Sequence, residues 1–183
     1  MRVSGRVLRF RDLYLRKAGP EARAAVLAAL HPDTRALFDT GFLETRWYPY
    51  ELLVEITTTT DRVLGTGDGA LCFDIGRFSC DAGFNTAYRL LFKFGNLGWL
   101  LDRAAKAWGS QYDEGEMKVL RRDVGTEVLV QLDGVPEPSR AHCLAVKGWM
   151  WRAAELVGEE NFTIDETCRA AGDEACRFAM RWK

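Results

Sequence analysis

Residues 162–182 read FTIDETCRAAGDEACRFAMRW, and the way this stretch folds decides how the rest of the chain must be arranged. Cys168 and Cys176 stand four residues either side of Gly172, which marks a turn between two short runs of strand character. By strand parity Phe162, Ile164, Glu166 and Cys168 share one face. Cys176, Phe178, Met180 and Trp182 line up likewise on the second run. The combined face is apolar and requires a helix to cover it. Three readings of the two cysteines are open at this point: a metal clip, a disulfide, or small residues of a core.

The covering helix is the segment just before, PEPSRAHCLAVKGWMWRAAELVG at 136–158, with Ser139 as its N-cap. Its wheel places Leu156, Trp149, His142, Ala153, Val146, Val157, Met150, Cys143 and Ala154 on one continuous arc, with Arg140, Lys147, Arg152 and Glu155 opposite. Further upstream, GEMKVLRR and GTEVLVQLDG are two strand-like runs that suggest a second hairpin near Gly125. Before residue 115 the texture is helical. Pro20 and the alanine-rich run after it, the HPDTRALFDTG segment, and NLGWLLDRAAKAWGSQY all carry helix signals. The segment WYPYELLVEITTTTDRVLG at 47–65 is contested: β-branched residues favour a strand, yet Tyr50, Leu53, Val54, Thr57, Asp61 and Leu64 keep helical spacing, and the balance favours helix.

Residues 69–93 predict a long helix in which Cys72, Gly76, Ser79 and Gly83 fall on one stripe. Small residues so spaced admit a second backbone, either from this chain or across a dimer seam. GTGDGA at 65–70 lacks a nucleotide fingerprint and reads as a loop with Asp68 as N-cap, so no nucleotide is expected. The expected architecture is α+β: helical residues 1–66 packed on a core, then 67–183 in the order α-α-β-β-α-β-β with a four-stranded antiparallel sheet on helices.

Charge and composition exclude several classes. The net charge of −1 offers no general attraction to nucleic acid or anionic membrane. No apolar run approaches the length of a membrane span, and the basic start carries no signal-type apolar segment, so a cytoplasmic protein is expected. Five cysteines, an odd number, argue against structural disulfides in that setting. Two histidines leave little for a catalytic triad or dyad, and none is assembled. No enzyme is expected. His142, on the apolar arc, reads as a core histidine rather than a base.

The run DETCRAAGDEACRF after an apolar helix carrying Cys143 resembles the C-terminal signature of the 4-vinyl reductase domain. That domain shares its fold with the core subunits of the TRAPP vesicle tether and, more distantly, with haem–nitric oxide sensor domains. WYPYELL, VLGTGDGAL, IGR and RFAMRW resemble a bacterial family of paralogues on the same fold. The resemblance implies a homodimer with a pocket for a small hydrophobic or aromatic ligand, and a structural zinc held by Cys143, Asp165, Cys168 and Cys176. Strand parity puts Glu166, not Asp165, on the cysteine face, which makes Glu166 the alternative carboxylate. The pocket candidates are His142, Val146, Trp149, Met150, Ala153, Phe78 and Tyr88. Haem is not expected, because the Tyr-x-Ser-x-Arg feature of the haem sensors is absent.

Two functional readings follow. One is a non-enzymatic ligand-binding or sensor module that acts as a dimer through contacts with a protein partner. The other is a TRAPP-like interaction scaffold with a filled interior. An open apolar cavity on which polar groups such as His142 or Tyr88 converge would favour the first, and a sealed core the second.

Overall fold

Pro20 and Pro32 each open a helix at a position where the missing amide hydrogen would have had no partner. They start α2 (Pro20–Ala29) and α3 (Pro32–Thr40), which follow a short strand β1 (Arg2–Ser4) and the long helix α1 (Gly5–Ala18). The computed structural model describes residues 1–83, 97–123 and 127–182, with 121–123 described by backbone alone.

The contested segment divides in two. Trp47–Pro49 is a strand, β2, paired antiparallel with β1, and Tyr50–Leu64 is a helix, α4. Helical spacing prevails over β propensity because the buried threonines satisfy themselves inside the helix. The hydroxyls of Thr57 and Thr60 donate to the carbonyls of Leu53 and Ile56, each at 2.7 Å.

Helix α5 (Ala70–Gly83) starts from the glycine-rich loop. Asp61, reaching over from α4, accepts from the amides of Gly69 at 2.8 Å and Leu71 at 3.0 Å, while Asp68 accepts from Ala70 at 2.9 Å. Two carboxylates thus meet the amides and the positive end of the new helix. The expected continuation of this helix to residue 93 lies outside the described residues. Helix α6 (Leu97–Ala107) then runs into one tight turn at Trp108–Ser110.

The remainder is the expected α+β arrangement. Strands β3 (Glu116–Asp123), β4 (Glu127–Asp133), β5 (Phe162–Thr167) and β6 (Cys176–Trp182) form one antiparallel sheet in the order β3-β4-β6-β5. The turn residue Gly125 lies outside the described residues. The two hairpins join through β4 and β6, where Val130 stands opposite Phe178. Val128, Val130, Leu132, Ile164, Phe178 and Met180 are all buried on the inner side.

Helix α7 (Arg140–Leu156) connects the hairpins and lies along α5. Ser139 holds the N-cap position, but its side chain makes no capping bond. The α5–α7 contact is backbone on backbone. A Cβ added to Gly76 would fall 1.9 Å from the carbonyl oxygen of Ala145, and one added to Gly148 would fall 1.9 Å from that of Phe73. Ion pairs flank the seam: Arg77 to Glu155 at 2.9 Å and Arg152 to Asp81 at 3.0 Å. One hydrophobic cluster runs from Val3 through Val130 to Met180, so residues 1–66 and 67–183 share a core. No helix among the described residues is long and apolar enough to cross a membrane.

Candidate functional site

Helix α1 carries an apolar stripe of Val7, Leu8 and Leu15, and Arg11 sits in the middle of it at the i+4 position from Val7. Folding therefore drives its guanidinium inside, where the residue is 4% exposed. Its Nε donates to the Thr57 hydroxyl at 3.4 Å and its Nη1 to the Ser79 hydroxyl at 3.2 Å, both long bonds. No carboxylate among the described residues pairs with it. Burial pulls its pKa down, and nearby Tyr112, Cys72 and Tyr50 oppose that pull.

His142, on α7, is 3% exposed, and its Nε2 lies 3.0 Å from the Tyr112 hydroxyl. Burial first, and the Arg11 charge second, depress the imidazole to about 3, so it is neutral at physiological pH. Burial pushes the Tyr112 phenol up to about 12. Trp108 stacks on Tyr112 with ring centroids 4.3 Å apart, and Tyr50 meets the imidazole edge-on at 5.3 Å. The Tyr50 hydroxyl is buried without a hydrogen-bond partner, and burial raises its pKa.

Arg11, Trp108, Tyr112 and His142 line a cavity of about 80 Å³. Arg11, Ser79, Gln111, Tyr112 and His142 supply its polar lining, and Phe10, Met117, Val146 and Trp149 are among its apolar walls. A second cavity of about 340 Å³ shares Phe10, Ser79, Ala104, Gln111 and Trp149 with the first, so the two adjoin. The larger one reaches Arg6, Trp99 and Arg103, with the Arg103 guanidinium 4.8 Å over the Trp99 ring.

Three of the residues expected at a pocket, His142, Val146 and Trp149, line the smaller cavity. Met150 and Ala153 are fully buried in the core on other faces of α7. Phe78 sits on the far side of α5, edge-on to Tyr14 with centroids 5.5 Å apart and with Lys17 over its ring. Tyr88 lies outside the described residues. Of the small-residue stripe, Gly76 faces Ala145 of the same chain, Cys72 is buried against the Thr57 carbonyl, Ser79 meets Arg11, and a Cβ on Gly83 would face Phe10. Arg11, Trp108, Gln111 and Tyr112 were not singled out by the sequence. The usable signal was the place of Arg11 within an apolar helical stripe.

The cysteine prediction divides differently. Cys143, Cys168 and Cys176 are all buried, and their sulfur atoms lie within 4.8 Å of one another, with Cys143 and Cys176 separated by 3.5 Å. Burial and the neighbouring thiols push Cys143 up in pKa. Three such sulfurs can hold a thiophilic cation with one position open, or stay as reduced core thiols. Asp165 is a correction. It points to the outer face of β5 and pairs with Arg181, as strand alternation requires, and is not part of the cluster. Glu166 does face inward, where Arg140 engages it and Lys147 lies 3.9 Å away; burial raises its pKa against both cations.

The architecture as a whole is an α+β fold in which helices 1–83 close over a helix and a sheet, with cavities where they meet. Its solved counterparts are H-NOX (haem–nitric oxide/oxygen binding) proteins. An H-NOX protein from S. oneidensis in the Fe(II)NO ligation state superposes with a TM-score of 0.71 at 13% identity, covering 98% of this chain and 99% of that one. The H-NOX domain from Shewanella oneidensis in the Fe(II)CO state gives 0.71 at 13%, over 99% and 98%. Fe(II) unliganded H-NOX from K. algicida gives 0.69 at 11%, over 98% and 96%. No family model and no curated protein matches the sequence. At these identities the likeness establishes the fold.

The resemblance to the 4-vinyl reductase domain and TRAPP subunits is thereby overturned, together with those fold labels. A cysteine hairpin covered by a helix is a local motif, whereas the H-NOX match runs from end to end and includes the N-terminal helices. The expected cofactor set, zinc with haem excluded, is corrected as well, because solved proteins of this fold are described by Fe(II) ligation states. The donors bear on fit. His142 is the buried imidazole, but its Nε2 is engaged by Tyr112 while Tyr50 and Trp108 crowd the ring. As placed, His142 would have to give up Tyr112 before it could hold an iron, so the residues present do not fit that group.

Proposed function

We propose that the chain is a non-enzymatic, cytoplasmic sensor module built on the H-NOX fold. It binds a small molecule in the paired cavities and passes occupancy on through contacts with a protein partner or a second copy of itself. The observation that supports this is the convergence of Arg11, Ser79, Tyr112 and His142 on a cavity rather than on a filled core. In this reading residues 1–66 bring the roof, with Arg11 on α1, and residues 67–183 bring the floor, with Ser79 on α5 and His142 on α7.

Each residue then has a task. Trp108 and Tyr112 hold the neutral imidazole in place, and Trp149 and Val146 exclude water from the inner end. A ligand between roof and floor favours one spacing of α1 over another, and that difference in affinity is what shifts the population. The three thiols form a structural tie between α7 and the terminal hairpin.

Haemin is one probe to try, because solved proteins of this fold are described by Fe(II) ligation states, although His142 would first have to leave Tyr112 to meet an iron. The test is uptake by the purified chain: an absorption titration with haemin, together with a thermal-shift screen of small organic molecules. A saturable response to haemin or to any small molecule, reduced by filling the cavity with Val146→Trp, is expected. If nothing binds and Val146→Trp simply stabilises the chain, the interior is a scaffold core and the reading fails.

A further inference from the structure

The cavity has a charge imbalance that no hydrogen bond among the described residues resolves. A guanidinium carries five N–H donors and a permanent charge, and Arg11 spends two of those donors on long bonds to hydroxyls. Both hydroxyls accept from Arg11 while donating their own protons to helix carbonyls, Thr57 to Leu53 and Ser79 to Ile75, each at 2.7 Å, so neither brings a negative charge to the guanidinium. Buried cations in proteins are matched by carboxylates, because an unmatched charge in a low-dielectric interior is costly. Among the described residues neither cavity is lined by an aspartate or glutamate, whereas Arg6, Arg11 and Arg103 line them. The nearest buried acid along α4, Asp61, is committed to the amides of Gly69 and Leu71. Among the described residues the pocket is cationic with apolar walls, and none of them brings an anion to it.

We infer that the missing partner is the ligand: a small organic carboxylate, its charged end on Arg11 and its apolar body against Phe10, Val146 and Trp149. The inference rests on the proposed sensor reading and names the class of molecule the cavity takes. A carboxylate offers planar, paired acceptors that suit the guanidinium fork. The apolar walls favour an organic anion over a hydrated inorganic one. Arg103, in the adjoining larger cavity, adds positive charge to the approach, whereas Arg6 beside it is paired with Glu44 at 3.3 Å. His142 is neutral there and so does not oppose or duplicate the Arg11 charge.

The test uses the full chain, benzoate, its neutral counterpart benzamide, and chloride, followed by calorimetry and thermal shift in a low-salt buffer. Benzoate is expected to bind saturably and raise Tm, with benzamide and chloride at least about tenfold weaker. Arg11→Met is expected to fold, since a flexible apolar side chain fills the same stripe, and to lose benzoate affinity by on the order of a hundredfold. Ser79→Ala, a small change that leaves the helix intact, is expected to weaken benzoate several-fold by loosening the guanidinium. Equal binding of benzamide and benzoate, untouched by Arg11→Met, would overturn the carboxylate assignment while leaving the ligand pocket standing. Tighter binding of chloride than of benzoate would overturn the organic class. If neither probe binds and haemin and the small-molecule screen are also silent, the pocket reading falls with it.

Discussion

Helix α5 makes two contacts of opposite character. Toward α7 it presents Gly76, and α7 answers with Gly148, so that two backbones touch with no room for a methyl group. Toward α1 it presents Ser79, and what lies beyond is a cavity with a buried arginine. The first contact is close packing and has one arrangement, because any displacement opens a gap or forces a clash. The second is polar and holds a cavity, and the hydrogen bonds that span it from Arg11 are long, at 3.4 and 3.2 Å. The proposed sensor reading uses both: a rigid floor, and a wall whose position depends on what occupies the space between.

The comparison breaks most sharply at the glycine seam. Gly76→Ala would place a Cβ 1.9 Å from backbone oxygen, so the helices must separate, and a loss of about 3 kcal/mol or more is expected in denaturant unfolding. A loss below about 1 kcal/mol would mean that the seam is as yielding as the cavity wall.

Next is the pH dependence carried by His142. Its pKa is about 3 in the folded chain against an ordinary value of 6.5, so the unfolded chain binds the proton first as pH falls. The stability it contributes is complete above pH 6.5 and is lost as pH falls from there toward 3, by on the order of 1.4 kcal/mol per pH unit at most. Subtracting the stability–pH curve of His142→Gln from that of the parent isolates this slope from the carboxylates. A flat difference would show that water or an anion already reaches the imidazole.

A smaller effect is expected at Asp61, which caps α5 from α4. Asp61→Ala leaves two amides without their acceptor, at a cost of about 2 kcal/mol, and Asp61→Asn should recover part of it. The smallest is at Ser139, whose side chain makes no capping bond; Ser139→Ala should shift stability by no more than about 0.5 kcal/mol. A full capping loss there would mean that the start of α7 is arranged differently in solution.

Much of the fold was legible from local patterns. The 3.6-residue spacing of Tyr50, Leu53, Thr57 and Leu64 identified α4 against its β-branched composition, and alternation put Glu166 inside and Asp165 outside. The α+β order followed from the same periods. Less of the site was readable. His142, Val146 and Trp149 could be named because a single helix carries all three, but Arg11 looked like one more base in a basic N-terminal run. The resemblance misled because its cysteine signature is local to the hairpin and its helix, and the short motifs WYPYELL at 47–53 and VLGTGDGAL at 63–71 do not specify how the first third of the chain is laid over them.

Periodicity, turn residues and the cysteine spacing by themselves determined the helices, the two hairpins and the inward face of each, since all of these depend on neighbours a few residues apart. The joining of β4 to β6, the gathering of Cys143, Cys168 and Cys176, and the cavity where Arg11 meets Ser79 and His142 were decided only by the tertiary structure. Arg11 and His142 are 131 positions apart, and no local rule connects residues at that distance. What brings them together is the burial of one continuous apolar core, which carries a charged side chain inward because its helix has no other face to bury.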